Sequence, residues 1–178
     1  MKVGSEFTTL IVIRGNSASG KSTIAAGIRA RCGAGIAIVG QDHLRRVVLK
    51  EKDKPGAANI GLIDVVVRYA LESGYSTVLE GILYAAHYGQ MLARLRDDHL
   101  GRSFFYYLDI PFDETLQRHA GKPQATEYGA AEMSQWYRDK DLLEGGIEDI
   151  IDADSSLDDT VARIMRDTGL ARIALASK

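Results

Sequence analysis

Cysteine occurs once among the 178 residues, at Cys32, which excludes an intrachain disulfide and a multi-cysteine metal site. A reducing, cytoplasmic setting is the expectation. An excess of charge of one sign is also lacking: Lys and Arg total 22 against 24 Asp and Glu, a formal net charge of −2. The positive field that double-stranded nucleic acid demands of a partner is therefore missing, which disfavours a phosphate-backbone binder. Long apolar runs are absent too. Met1–Glu6 has no apolar core of the signal-peptide kind, and the apolar stretch from Phe7 to Ile13 is cut by Arg14, so neither a leader nor a membrane span is expected. Repeats, linkers and low-complexity tracts are missing. What remains, 46% hydrophobic and 26% charged, is ordinary globular composition for one domain over 1–178.

Short β-branched runs alternate with helical patterns along the chain. Thr8–Ile13 is apolar without alternation, as in a parallel strand covered on both faces. Lys21–Arg31 reads as a helix ended by Gly33 and Gly35. Ile36–Val39 is the second strand, with Gln41 and Asp42 past its end. His43–Glu72 is mostly helical, broken at Lys54-Pro55-Gly56. Thr77–Leu79 is the third strand and leads into Glu80-Gly81. A helix over Tyr88–Asp98 precedes the fourth strand, Phe104–Leu108, which closes on Asp109 and Pro111. Helices are predicted over Asp113–His119 and Ala130–Leu143, flanking a polar Gly121-Lys122-Pro123 segment. Asp149–Ile151 is the fifth strand, and a last helix begins near Ser156 and reaches Arg166. Five β-α repeats predict an α/β fold with a parallel sheet, right-handed crossovers and helices on both faces. Binding is expected at the carboxyl ends of the strands.

The decisive motif is Gly15-Asn16-Ser17-Ala18-Ser19-Gly20-Lys21-Ser22, a complete G-x-x-x-x-G-K-[ST] directly after a buried strand and directly before a helix. Glycines let successive N–H groups turn inward toward a polyphosphate, and the helix start adds partial positive charge. Lys21 is placed to reach β- and γ-phosphates, Ser22 to bind Mg²⁺, and Thr23 to approach the α-phosphate. ATP and Mg²⁺ are the implied cofactors.

Phosphoryl transfer further needs a base, a substrate wall and neutralising cations. Asp42, just past the second strand, is the expected base or substrate-holding carboxylate; its alternative is a helix N-cap. Arg46, four residues on, is expected to pair with it. Glu80 is placed to contact Mg²⁺ through water, to bind substrate hydroxyls, or merely to cap the Gly81 turn. Asp109 resembles a Walker-B aspartate but is better read as shaping the turn before Pro111. Arg118, with Lys122, is the candidate phosphate clamp on a lid over about 118–135; the alternative is a solvated basic helix end. His119 is given no role, and no metal site built from protein ligands alone is assigned. Tyr84, His87 and Tyr88, and Trp136-Tyr137 beyond the lid, are candidates either for an acceptor wall or for packing.

With these residues in place the chain resembles the small P-loop kinases of the nucleoside-monophosphate-kinase-like group, nearest the branch of chloramphenicol phosphotransferase, zeta toxin and bacterial uridine-kinase-like sequences. The shared features are Ile13-Arg14-Gly15 through Ser22, Asp42, Leu79-Glu80-Gly81, and Leu108-Asp109-Ile110-Pro111 with Leu116-Gln117-Arg118. The resemblance implies a three-layer P-loop kinase fold with sheet order 2-3-1-4-5, Asp42 as acceptor base and Arg118 as a lid arginine. It also implies that Asp152-Ala153-Asp154-Ser155 lies against adenine. Lids in the wider group carry two or more arginines, whereas the second basic position here is Lys122, which cannot clamp bidentately. The expected activity is transfer of the γ-phosphoryl group of ATP to a hydroxyl of a nucleoside, a sugar or polyol, or a hydroxylated antibiotic. The alternatives are a polynucleotide 5′-hydroxyl kinase, with Arg45 and Arg46 holding an acceptor phosphate, and a non-catalytic ATP-binding regulator. A guanine-reading Asn-Lys-x-Asp is absent; Arg138-Asp139-Lys140-Asp141 lacks the asparagine.

Overall fold

The computed structural model describes residues 1–121 and 129–170. Lys122 and the part of the expected lid over 122–128 lie outside the described residues. Five strands form one sheet: β1 (Thr9–Gly15), β2 (Ile36–Gly40), β3 (Ser76–Gly81), β4 (Arg102–Asp109) and β5 (Glu148–Asp152). Its order is β2-β3-β1-β4-β5 and every pairing is parallel.

The unbroken apolar run of β1 is explained by its central place. Leu10 and Val12 join one core cluster, packed with Ile63, Val67 and Leu71 of α2 (Ala58–Glu72) and Leu92 and Leu95 of α3 (Ala85–Asp98). Ile11 and Ile13 join the other, with Ile24 and Ile28 of α1 (Lys21–Cys32) and Val161 and Ile164 of α6 (Leu157–Thr168). Two buried faces, filled from alternate β1 residues, take every position from Leu10 to Ile13 and leave none of these four to a polar side chain.

Between β2 and α2 the chain makes a short π-helical stretch, His43–Val48, a rare geometry that recurs at functional sites. Among the described residues two shorter helices remain, α4 (Phe112–Ala120) and α5 (Ala130–Trp136). The helix predicted over Ala130–Leu143 therefore stops at Trp136. Distant groups intercept its continuation: the Arg138 N–H donates to Asn16 Oδ1 at 2.9 Å, and the Asp141 N–H donates to the Tyr107 hydroxyl at 3.1 Å. At its start α6 follows the expectation, with Ser156 Oγ accepting from the Asp159 N–H at 3.1 Å.

Candidate active site

The loop after β1 is shaped for an anion. Gly15 has φ +143°, and a β-carbon there would stand 2.8 Å from the Leu108 carbonyl; Gly20 has φ +105°. Both positions need glycine, the first for close approach and the second for backbone angle. Ala18 takes φ +60°, a left-handed conformation that is uncommon for alanine and clusters at ligand-binding loops. Lys21 is buried and bends back over the loop, donating to the Asn16 carbonyl at 2.6 Å and to Ser19 Oγ at 3.3 Å. The Asn16 side chain is engaged elsewhere: Nδ2 donates to the Arg138 carbonyl at 2.8 Å while Oδ1 accepts from the Arg138 N–H. Only the backbone of Asn16 is left for a phosphate.

Across the loop lies a cleft of about 230 Å³ whose walls include Ser17, Ala18, Thr23, Asp42, Arg46 and Glu80. The Ser22 hydroxyl donates to Glu80 Oε2 at 3.1 Å. Parallel register carries Glu80 there: it pairs with Ile13 on one side and Gly40 on the other, and a β-carbon at Gly40 would meet Glu80 Oε1 at 2.9 Å. Ser22 and Glu80 together offer hard oxygen donors of the kind Mg²⁺ takes, with phosphate and water oxygens to complete its shell. Among the described residues no cluster of three or more His, Cys, Asp or Glu could hold a metal by itself. Asp109 stands on the far side of β1, at the end of β4 beside Asp152.

Asp42 opens the π-helical stretch, but its side chain accepts no capping hydrogen bond; its carboxylate points to the cleft wall. The pairing expected with Arg46 is made by Arg45 instead, whose Nη2 donates to Asp42 Oδ1 at 2.9 Å. Arg45 is held beside Asp42 because its Nη1 also donates to the Glu51 carbonyl at 3.2 Å. Arg46 turns into the cleft.

A larger chamber of about 550 Å³ adjoins this cleft and shares Ser17, Asp42, Arg46 and Ile82 with it. Of the aromatic candidates, Tyr84, His87 and Trp136 line it. Tyr88 is fully buried behind them, and Tyr137 packs edge-on against Phe112. Tyr88 has a task there that sequence reasoning missed. Its hydroxyl bonds to Asp53 Oδ1 at 3.0 Å; Gln41 Nε2 donates to Asp53 Oδ2 at 3.0 Å, and His87 Nδ1 lies 3.2 Å from Oδ1. Asp53 is thus an oriented carboxylate on the chamber wall. Burial first, and for Tyr88 the Asp53 charge second, raises the Tyr84 and Tyr88 phenols above their ordinary range. Both stay neutral and neither is a base.

On the other side of the loop is a cleft of about 250 Å³ between Arg118 and the Asp152–Ser155 turn. Arg118 Nη1 donates to the Ser19 carbonyl at 3.1 Å, and its guanidinium pairs with Glu114. It stands at the junction of this cleft and the loop, already against the loop backbone. The apolar lining from Ile24, Leu108, Ile110 and Ile151 suits a flat heterocycle.

Arg14, which ends the apolar run of β1, proves to be the strut under the site. It is fully buried, with Nε donating to the Leu83 carbonyl at 2.9 Å, Nη1 to Glu148 at 2.7 Å and Nη2 to Asp141 at 2.8 Å. Asp141 also accepts from the Ala85 N–H at 2.8 Å, so one ion network ties β1, β5, the start of α3 and the segment carrying Arg138. A charged residue at the end of an apolar strand was the signal for it in the sequence.

No protein-family model matches the sequence, and no curated protein matches it. Solved structures do. The Mycobacterium tuberculosis APS kinase in complex with AMPPNP and APS superposes with TM-score 0.65 at 16% identity over 93% of this chain and 98% of that one. A gluconokinase from Sinorhizobium meliloti 1021 gives 0.58 at 20% identity, covering 96% of each chain. The Deinococcus radiodurans tunicamycin resistance protein gives 0.63 at 17% over 91% and 96%. The sheet order, the phosphate loop at its centre and these superpositions together give the chain the fold of the P-loop kinases.

Proposed function

We propose that the chain is a single-domain ATP-dependent phosphotransferase that moves the γ-phosphoryl group to a hydroxyl of a small molecule. The observation that carries this reading is the continuity of the two cavities. Asp42, Arg46, Ser17 and Ile82 belong both to the phosphate cleft and to the chamber, so a hydroxyl in the chamber can meet a phosphate end-on. Solved kinases of the same fold, one of them holding AMPPNP and APS together, support it.

In this reading adenine occupies the cleft between Arg118 and the Asp152–Ser155 turn. The backbone amides of Gly15 to Ser22 hold the phosphates, and Lys21 exchanges its bond to the Asn16 carbonyl for the β- and γ-phosphate oxygens. Ser22 and Glu80 would hold Mg²⁺, which when bound would supply charge neutralisation to the phosphates. Asp42 accepts the proton of the acceptor hydroxyl as its oxygen bonds to the γ-phosphorus; the bond from that phosphorus to the β-bridging oxygen breaks and ADP leaves. Arg46, and Arg118 where it already touches the loop, offset the charge on the transferring group.

An ADP-release screen over nucleosides, sugars, polyols and hydroxylated antibiotics tests this, with mass spectrometry for the phosphoester. Acceptor-dependent ADP and a phosphorylated product are expected. ATP binding without ADP release for any acceptor would leave a nucleotide-binding regulator instead.

A further inference from the structure

Resting on the phosphotransferase reading, the geometry points to an anionic alcohol as the molecule held in the chamber: a hydroxylated compound with a carboxylate or phosphate group remote from the reacting hydroxyl. The chain as a whole carries a net charge of −2, yet the chamber gathers Arg45, Arg46, Lys52 and Arg138 against Asp42 and Asp53. Two of the four cations have other tasks. Arg45 is tied to Asp42 at 2.9 Å, and Arg46 reaches the phosphate cleft. Lys52 and Arg138 line the chamber and not that cleft, and among the described residues neither forms an ion pair with a carboxylate. Asp53 keeps its charge but pairs with neither, its oxygens being hydrogen-bonded to Gln41, Tyr88 and His87, and with Asp42 it leaves the four cations in excess. Neither cation lines the cleft assigned above to the phosphates. An anion on the acceptor would pair with them.

The placement of Arg138 argues for the same ligand. Its guanidinium lies 5.5 Å from the Tyr84 ring centre, and Nη1 donates at 2.8 Å to each of the Gln135 and Tyr137 carbonyls. The Asn16 side chain clasps its backbone from both sides. A cation ordered before binding loses little freedom when an anion arrives. Tyr84 and Trp136, joined by the Tyr84 hydroxyl to the Trp136 carbonyl at 2.5 Å, give the ligand an apolar face.

Trp136 is the sole tryptophan and lies in this wall, so intrinsic fluorescence reports occupancy without turnover. The test titrates matched pairs: glycerate with glycerol, gluconate with glucitol, and adenosine 3′-monophosphate with adenosine. The anionic member of at least one pair is expected to bind about tenfold more tightly than its neutral partner, with the advantage shrinking as salt rises. The responding pair tells carboxylate from phosphate. In the double variant Lys52→Gln/Arg138→Gln that advantage is lost, while unchanged binding of a fluorescent ATP analogue shows that the fold persists. Equal binding within every pair, no response to any anionic alcohol, or unaltered preference in the double variant would overturn the inference. ADP release with uncharged alcohols alone would keep the phosphotransferase and end the anionic acceptor. Trp136-reported binding of an anionic alcohol with no ADP release for any acceptor would do the reverse.

Discussion

Ser22 and Glu80 share a hydrogen bond of 3.1 Å, and that contact separates the tasks of the two carboxylates on the rim. In the proposed mechanism Glu80, beside the loop serine, is the carboxylate that would help hold the cation, while Asp42 sits one strand farther out, where the chamber begins. Their substitution should therefore give different signatures. Glu80→Gln is expected to raise the Mg²⁺ concentration needed for half-maximal turnover by about tenfold or more, as lost metal-orienting groups do, which a metal titration at saturating ATP reads directly. Asp42→Asn should leave ATP affinity intact and lower the transfer rate by roughly 10²-fold, the scale of general-base catalysis. Single-turnover kinetics decides it: an unchanged rate would shift the base to Asp53, the other oriented carboxylate in the chamber.

At the scale of elements, the site is held by β1 acting through Arg14. A guanidinium with no exposed surface is matched by Glu148, whose side chain is 3% exposed, and by Asp141 at 22%. Arg14→Leu removes the cation that Glu148 and Asp141 share and leaves both carboxylates without it. The cost of such uncompensated buried charge is about 3–5 kcal/mol, so the urea midpoint should fall sharply; a shift of a few tenths of that would show the network to be dispensable. The same network marks where the sequence stopped being readable. Strands and the phosphate loop were legible because buried β-branched runs and a loop of fixed spacing are local signals. The end of α5 was not, since the groups that halt it, Asn16 and Tyr107, come from the other end of the chain and from β4. Asp53 was invisible for the same reason: its partners Gln41, His87 and Tyr88 lie 12, 34 and 35 residues away. Asp42 lies past the end of β2 and pairs with Arg45 where Arg46 was expected, because the brace from the Glu51 carbonyl is a loop contact with no periodicity to announce it.

The whole molecule has a chemical polarity along its strands, with the phosphate loop at one end and a buried histidine at the other. His99 follows α3 and precedes β4; its Nε2 lies 3.0 Å from Thr8 Oγ1 and its Nδ1 2.9 Å from Ser103 Oγ. The N-terminal segment is pinned beside it, Val3 N–H to the Asp98 carbonyl and Leu100 N–H to the Val3 carbonyl, both at 3.0 Å. Burial lowers the His99 pKa below its ordinary 6.5. The unfolded chain then binds the proton more readily than the native one, so stability is full above that ordinary value and declines as pH falls from it toward the depressed native value. A second, separate loss follows at lower pH. Glu51, held down first by the Asn59 side chain, and Asp98, held down first by Arg68, must then be protonated below their ordinary 4.5 and 3.8. Unfolding free energies measured across this range should show two acid steps in the wild type and only the lower one in His99→Gln, whose overall stability is reduced but flat through the upper window. Because His99 is at the end of the sheet remote from the phosphate loop, saturating ATP should lift the whole curve, by about 2.7 kcal/mol at a hundred times Kd, and leave the upper step in place. A step that vanished with nucleotide bound would mean that the two ends of the sheet are coupled, and that the histidine belongs to the site rather than to the fold.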